Sequence, residues 1–272
     1  MVWFKDYLVE QGAEPLSFIG SFNFRSSSPK EVVDSICAVL EIQNSPELRK
    51  GTHEAYLTRL IRACEANGIL VMRAGIVGAN TSRKLNVSEF RGFAIADELA
   101  PVIFINSADA KTARLFTLIH ELAHLWIGSS GVSNAGLDDQ QEEAFCNQVS
   151  GEFLVPEIEF QKNWTPERTL EENFANISSF FHVSNLVAAR RALQFQFISK
   201  ATYQDFYQSE VNRFKRESSG GDYYQNSTAR NSNVFARAVL RQALGNKMLF
   251  RDAGKLLDMS PSKIKDYYAE LS

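Results

Sequence analysis

Thr112-Ala113-Arg114-Leu115-Phe116-Thr117-Leu118-Ile119-His120-Glu121-Leu122-Ala123-His124-Leu125-Trp126 is the stretch on which the reading of this chain turns. No Gly or Pro interrupts it, and Gly128 and Gly131 follow it, so it predicts one continuous helix with H-E-x-x-H in its middle. In a helix, His120 and His124 lie one above the other on a single face, where two imidazoles can grip one ion. Glu121 is turned about 100° from that face and can reach the ion's open side without being its ligand. Two His ligands and a carboxylate that takes a proton from water are what a zinc hydrolase needs. The rival account is an ordinary solvated helix face. Against it stand the neighbours Leu115, Phe116, Leu118, Ile119, Leu122, Ala123, Leu125 and Trp126, which predict a buried helix. Burying three ionisable groups without partners is costly, and metal ligation removes the objection.

A catalytic zinc usually takes a third protein ligand. Downstream, residues 140–155 predict a second helix, with Pro156 beyond its end. Glu143 and Asn147 are four apart on it, so both can face the first helix. Glu143 is the natural third ligand. Asn147 is placed to accept a hydrogen bond from the far nitrogen of a ligand His, which would fix the tautomer. Glu142 and Glu152 are rivals, the one about 100° off that face and the other about two and a half turns further along.

The pattern F-T-L-x-H-E-x-x-H, followed by E-x-x-C-N-x-V-x-x-E-F-L-V-P, resembles the ImmA/IrrE family of bacterial metallo-endopeptidases, a minimal gluzincin-type design. Pro101-Val102-Ile103-Phe104-Ile105-Asn106 is similar to that family's P-x-I-x-I-N strand. The resemblance runs from about Gly68 to Pro156 and continues more loosely through Gly220–Tyr224 and Arg251–Leu257. It implies a zincin-like core, Zn²⁺ as cofactor and a protein substrate. That substrate would be an XRE-type helix-turn-helix repressor, cut in a stress, phage or mobile-element response. Family members often carry such a DNA-binding module ahead of the peptidase. Residues 1–67 look instead like the peptidase's own leading helices, so the repressor is expected to be a separate protein encoded nearby.

Composition bounds the alternatives. A chain of 272 residues with 44% hydrophobic content can bury a real core, and a net charge of −3 argues against a general nucleic-acid binder. Charge is uneven: residues 200–272 carry 12 basic and 8 acidic side chains, against 17 and 24 in residues 1–199. The segment 129–175 holds ten Asp/Glu against Lys162 and Arg168, a surface that would attract a basic partner. Cys37, Cys64 and Cys146 show no paired spacing and read as buried free thiols. Only Cys146 stands near the metal ligands. With no leader and no apolar run of membrane length, a cytoplasmic protein is the simplest reading.

Three regions follow: leading helices over 1–67, a metallopeptidase core over 68–160, and a mainly helical region over 161–272. Short helices are expected at Val2–Gln11, from Pro29 and over Thr52–Asn67, with Leu16–Phe24 extended between the first two. Ile69–Arg73, Arg91–Ala96 and Val102–Asn106 are strand-like and suggest a small twisted sheet beside the zinc helix. In gluzincin-like folds an edge strand pairs with the substrate; Val102–Asn106 and Arg91–Ala96 compete for that place. Ala74–Ser88, rich in Gly, Asn and Ser, reads as a lip of the cleft. His182 could stabilise an oxyanion, or simply end a helix at the surface. Phe250–Leu257 and Ser262–Leu271 have the outline of a helix-turn-helix, with Lys263 and Lys265 able to touch phosphates. A hairpin that completes the core is the competing account, favoured by the small charge surplus. The expectation is thus an α+β zinc metallo-endopeptidase. A non-catalytic metal-bound regulator and a DNA-binding protein using the C-terminal helices are the alternatives.

Overall fold

A computed structural model describes residues 2–77, 80–87, 89–130, 137–217 and 231–271. Four helices lead: α1 (Val2–Glu10), α2 (Pro29–Val39), α3 (Pro46–Arg49) and α4 (His53–Ala66). Five short strands follow: β1 (Leu70–Ala74), β2 (Ile76–Val77), β3 (Asn80–Lys84), β4 (Gly92–Ile95) and β5 (Val102–Asn106). The H-E-x-x-H stretch lies in α5 (Lys111–Ile127), and α6 (Leu137–Leu154) packs beside it. The rest is helical: α7 (Glu157–Asn163), α8 (Leu170–Phe181), α9 (Asn185–Gln194), α10 (Lys200–Glu217), α11 (Asn233–Leu244), α12 (Phe250–Leu257) and α13 (Ile264–Leu271). The architecture is α+β.

Local chemistry sets several of these starts. Ser28 accepts from the backbone of Glu31 while the Glu31 carboxylate accepts from the backbone of Ser28, a reciprocal cap reinforced by Pro29 at the first turn. Thr169 and Glu172 repeat the device at α8.

The main sheet has the order β1-β5-β4, with β5 parallel to β1 and antiparallel to β4. Val102–Asn106 is therefore the central strand, and Gly92–Ile95 is an edge. The reason is burial: β5 carries an almost unbroken apolar run, Val-Ile-Phe-Ile, and is covered on both faces. Alternation along the strands divides two cores. Val71, Ala94, Ile103 and Ile105 pack with Leu57, Leu60, Leu118 and Leu122 from α4 and α5. Leu70 and Val102 face the other way, onto Phe4, Phe235, Val239 and Leu257. The two ends of the chain meet there, with Phe4 edge-on to Phe235 at 5.6 Å. The C-terminal helices α11–α13 thus complete a second core, as expected of a hairpin used for packing.

Two expectations give way. Leu16–Phe24 is not extended but a run of turns wrapped against the end of α5. The Gly20 and Phe22 amides donate to the carbonyls of Leu125 and Trp126, each at 3.0 Å, and Phe18 stacks on Trp126. Gly128 caps α5 with φ 74°, and a Cβ on it would lie 2.9 Å from Cα of Gly20, so two glycines permit this crossing. The Ala74–Ser88 stretch, expected as a loop, holds the β2–β3 hairpin in its described part. Gly220–Tyr224, where the looser resemblance continues, lies outside the described residues.

Candidate metal centre and cleft

Helix α5 is buried along most of its length and pinned at both ends. At its start, the fully buried Asn106 side chain accepts from the Ala108 amide at 3.0 Å and donates to the Phe90 carbonyl at 3.1 Å. The Asn106 amide also donates to the Arg91 carbonyl at 2.8 Å. One residue therefore ties the end of the central strand, the entry to the edge strand and the turn into α5 together. At its end, Trp126 is fully buried and donates to Ser35 Oγ at 2.9 Å.

Within this frame His120 and His124 turn their Nε2 atoms toward each other, 3.1 Å apart. Glu143, on α6, completes the group: one carboxylate oxygen lies 3.1 Å from His120 Nε2 and the other 3.2 Å from His124 Nε2. Donors at about 2.0–2.1 Å around a tetrahedral ion stand about 3.3–3.4 Å from one another. The three groups are thus spaced as the edges of one coordination polyhedron. Three lone-pair donors brought this close, two of them imidazole nitrogens, repel unless a proton or a metal cation sits among them. The surroundings favour positive charge. Burial lowers the proton affinity of His124, but its hydrogen bonds to Cys146 and Glu143 outweigh this and push its pKa up to about 11. The donor set therefore fits a metal ion, which His120, His124 and Glu143 could hold.

Glu121 is buried on the flank of this group and is not one of the three converging donors. Burial pushes its carboxyl up to about 7, against the pull of His120 and His124 and with Glu143 adding to the rise. A carboxyl held there can take and return a proton near neutral pH. Against Glu121 lies Gly92, the first residue of the edge strand. A Cβ on Gly92 would collide with Cγ2 of Thr117 and stand 3.0 Å from Oε1 of Glu121.

The remaining sequence-derived site residues are placed as follows. Glu142 puts Oε1 3.2 Å from Nδ1 of His124, out of line for a hydrogen bond. Neither Nδ1 of His120 nor that of His124 has a hydrogen-bond partner among the described residues, so the contact expected from Asn147 is not made; Asn147 faces the cleft instead. Glu152 is excluded from the centre by its ion pair with the buried Arg191, at 2.5 Å. Cys146 is fully buried against His124, and burial raises its thiol. His182 is not brought to the centre. It caps α8 in the left-handed conformation, φ 59°, which turns its ring onto His53 at 4.5 Å and its Nε2 onto the Arg49 carbonyl at 2.9 Å.

A cleft of about 1020 Å³ opens over the centre. One wall is the entry of the edge strand, Phe90, Arg91 and Gly92. The floor is α5, and the far wall comes from the turn between α8 and α9 and from Tyr207 and Val211 of α10. Tyr207 and the far wall carry no recognisable motif, which is why the sequence does not announce them.

A donor group fit for a metal, beside a buried carboxyl in an open cleft, is the arrangement a metallopeptidase uses. Residues 64–193, from the end of α4 into α9, match the family of the IrrE N-terminal-like domain, the ImmA/IrrE type of peptidase, and this stretch contains every residue of the candidate centre. Residues 231–270 match a domain of unknown function. No curated protein matches the chain. Among the described residues no helix is long and apolar enough to cross a membrane.

Proposed function

We propose that this protein is a zinc-dependent endopeptidase whose catalytic group is Glu121. The observation that carries the reading is the convergence of His120, His124 and Glu143 beside a buried Glu121, in a cleft bordered by a sheet edge. Zinc in that group supplies an electrophile for the scissile carbonyl and lowers the pKa of a water molecule. Glu121 takes the proton from the attacking water and passes it to the leaving amine. The edge strand β4 offers its outer backbone to an extended substrate, which adds as a further strand and is held with its carbonyl over the centre. Packing of α5 on α4, α6 and the sheet fixes the backbone from which His120 and His124 project.

The substrate we propose is a separate XRE-type helix-turn-helix repressor. The family resemblance supports it, as does the acidic segment 129–175, complementary to a basic DNA-binding protein. Incubation of the zinc-loaded protein with a repressor encoded beside it, and separately with denatured casein, tests the reading. One discrete cut in the repressor and none in casein is expected. Digestion of casein with the repressor intact rejects it.

A further inference from the structure

The helices that close the second core present a face that the core does not use. Residues 258–260 and one turn of 3-10 helix, Pro261–Lys263, join α12 to α13. Asp258 ends α12 in the left-handed conformation, φ 53°, and the Met259 amide donates back to the Gly254 carbonyl at 2.9 Å. Gly254 lets this turn close, since a Cβ there would stand 2.6 Å from the Met259 carbonyl oxygen. Ala253, Leu257 and Ile264 are buried in one cluster with Val239 and Leu240 of α11, which packs on both helices. Arg237 of α11 holds the end of α13 by donating to the Leu271 carbonyl at 2.8 Å. Two short helices, a tight turn and a third helix across them are the parts of a helix-turn-helix.

Packing accounts for little of α13. Ile264 is buried on it, whereas Ser262, Lys263, Lys265 and Asp266 are exposed. At about 100° per residue, Ser262 and Asp266 point away from Ile264, with Lys263 and Lys265 to either side of them. Lys247, ahead of α12, and Arg251 and Lys255 along it add exposed cations. Residues 247–265 hold five Lys and Arg against Asp252 and Asp258, in a chain whose net charge is −3. Polar side chains flanked by cations suit duplex DNA, where base edges lie along the middle of a groove and phosphates along its borders. A protein partner would call for an apolar middle, and neither Ser262 nor Asp266 supplies one.

We infer that α12 and α13 are a helix-turn-helix that binds duplex DNA, with α13 in the major groove and Asp266 choosing a C·G pair. This activity is separate from the peptidase reading. The lysines neutralise phosphates and carry the affinity. The Asp266 carboxylate accepts from the N4 amino group of cytosine, and its repulsion by phosphates keeps binding to other sequences weak.

The test selects duplexes from a library with a randomised centre on the full-length protein. Anisotropy of fluorescein-labelled duplexes is then followed from about 50 to 200 mM salt. The selected sequences should share a C·G pair, and changing it to T·A should weaken binding about 5-fold or more. Asp266→Ala should bind the two versions alike. Lys263→Ala/Lys265→Ala should lower the slope of log K against log salt by about 2, while Lys30→Ala/Lys162→Ala, on α2 and α7, leaves it unchanged. All of these side chains are exposed, so urea midpoints should match the wild type. No enrichment and no binding at the lowest salt overturns the inference and leaves α13 as a surface for a protein. Enrichment that Asp266→Ala leaves intact, or a slope that both lysine pairs lower equally, overturns it as well.

Discussion

Gly92 and Glu121 are in contact across the boundary between the edge strand and α5: a Cβ on residue 92 would lie 3.0 Å from Oε1 of Glu121 and 2.8 Å from the carbonyl oxygen of Phe104. The bare backbone of Gly92 is what lets the strand that borders the cleft run directly beside Glu121, the proposed proton carrier. Gly92→Ala is therefore expected to displace Glu121 or push the strand outward while the donors on α5 and α6 keep their metal. A displacement of about 1 Å at a reacting group costs on the order of 100-fold in rate. Peptidase assays on protein of measured zinc content should show kcat falling by that order with zinc unchanged.

Asn106 holds the same border from the other side. Asn106→Ala removes the donor to the Phe90 carbonyl and the acceptor for the Ala108 amide, both in a buried setting. The expected loss is about 2 kcal/mol of stability, read as a lower midpoint in urea. Because Phe90 and Arg91 line the cleft, KM should rise more than kcat falls.

Arg191, on α9, ties that helix to the end of α6. It is 2% exposed, pairs with Glu152, and donates twice to the Val155 carbonyl, at 3.0 and 2.8 Å. Arg191→Met strands a carboxylate and a carbonyl, at a cost of about 3 kcal/mol. Adding Glu152→Gln should recover part of that loss, since the uncompensated charge disappears. A loss that the second change leaves untouched would show that packing, not charge, is what Arg191 supplies.

The buried Glu121 makes stability depend on pH in the metal-free protein. Its folded pKa of about 7 lies above the ordinary value of 4.5, so the folded state binds the proton more tightly. The associated stability is present below about pH 4.5 and lost as pH rises through about 7. Glu121→Gln has no charge to bury. Stripped of metal, it should exceed the wild type by roughly 3 kcal/mol at pH 8, and by about 1 kcal/mol at pH 5. Denaturant midpoints at the two pH values check the difference; an equal gap at both would refute it.

The parts of this molecule that were legible from residues alone are those set by local periodicity. The α5 helix follows from an uninterrupted run with one polar pair four residues apart, and Glu143 follows from its place on the next helix. What failed depended on how elements meet. Asn147 shares a face with Glu143, but the way α6 crosses α5 sends its side chain to the cleft rather than to an Nδ1. His182 ends α8 as expected, and only its left-handed backbone reveals that its ring turns to Arg49. The edge strand was ambiguous because strand order depends on what covers β5, and that cover includes α1 and α11 from opposite ends of the chain. Contacts of that separation leave no trace in a local pattern. The far wall of the cleft was equally silent, since Leu186, Tyr207 and Val211 sit in helices with no motif to mark them.

The central claim is that His120, His124 and Glu143 hold a zinc ion for which Glu121 serves as proton carrier. The most direct measurement pairs metal content with cleavage in wild-type, Glu121→Gln and His120→Ala/His124→Ala proteins, each purified with zinc present and assayed on the repressor. The account predicts about one zinc per chain in the first two, almost none in the third, and cleavage by the wild type alone. A double histidine variant that keeps its zinc, or a Glu121→Gln protein that cuts at the wild-type rate, would contradict it.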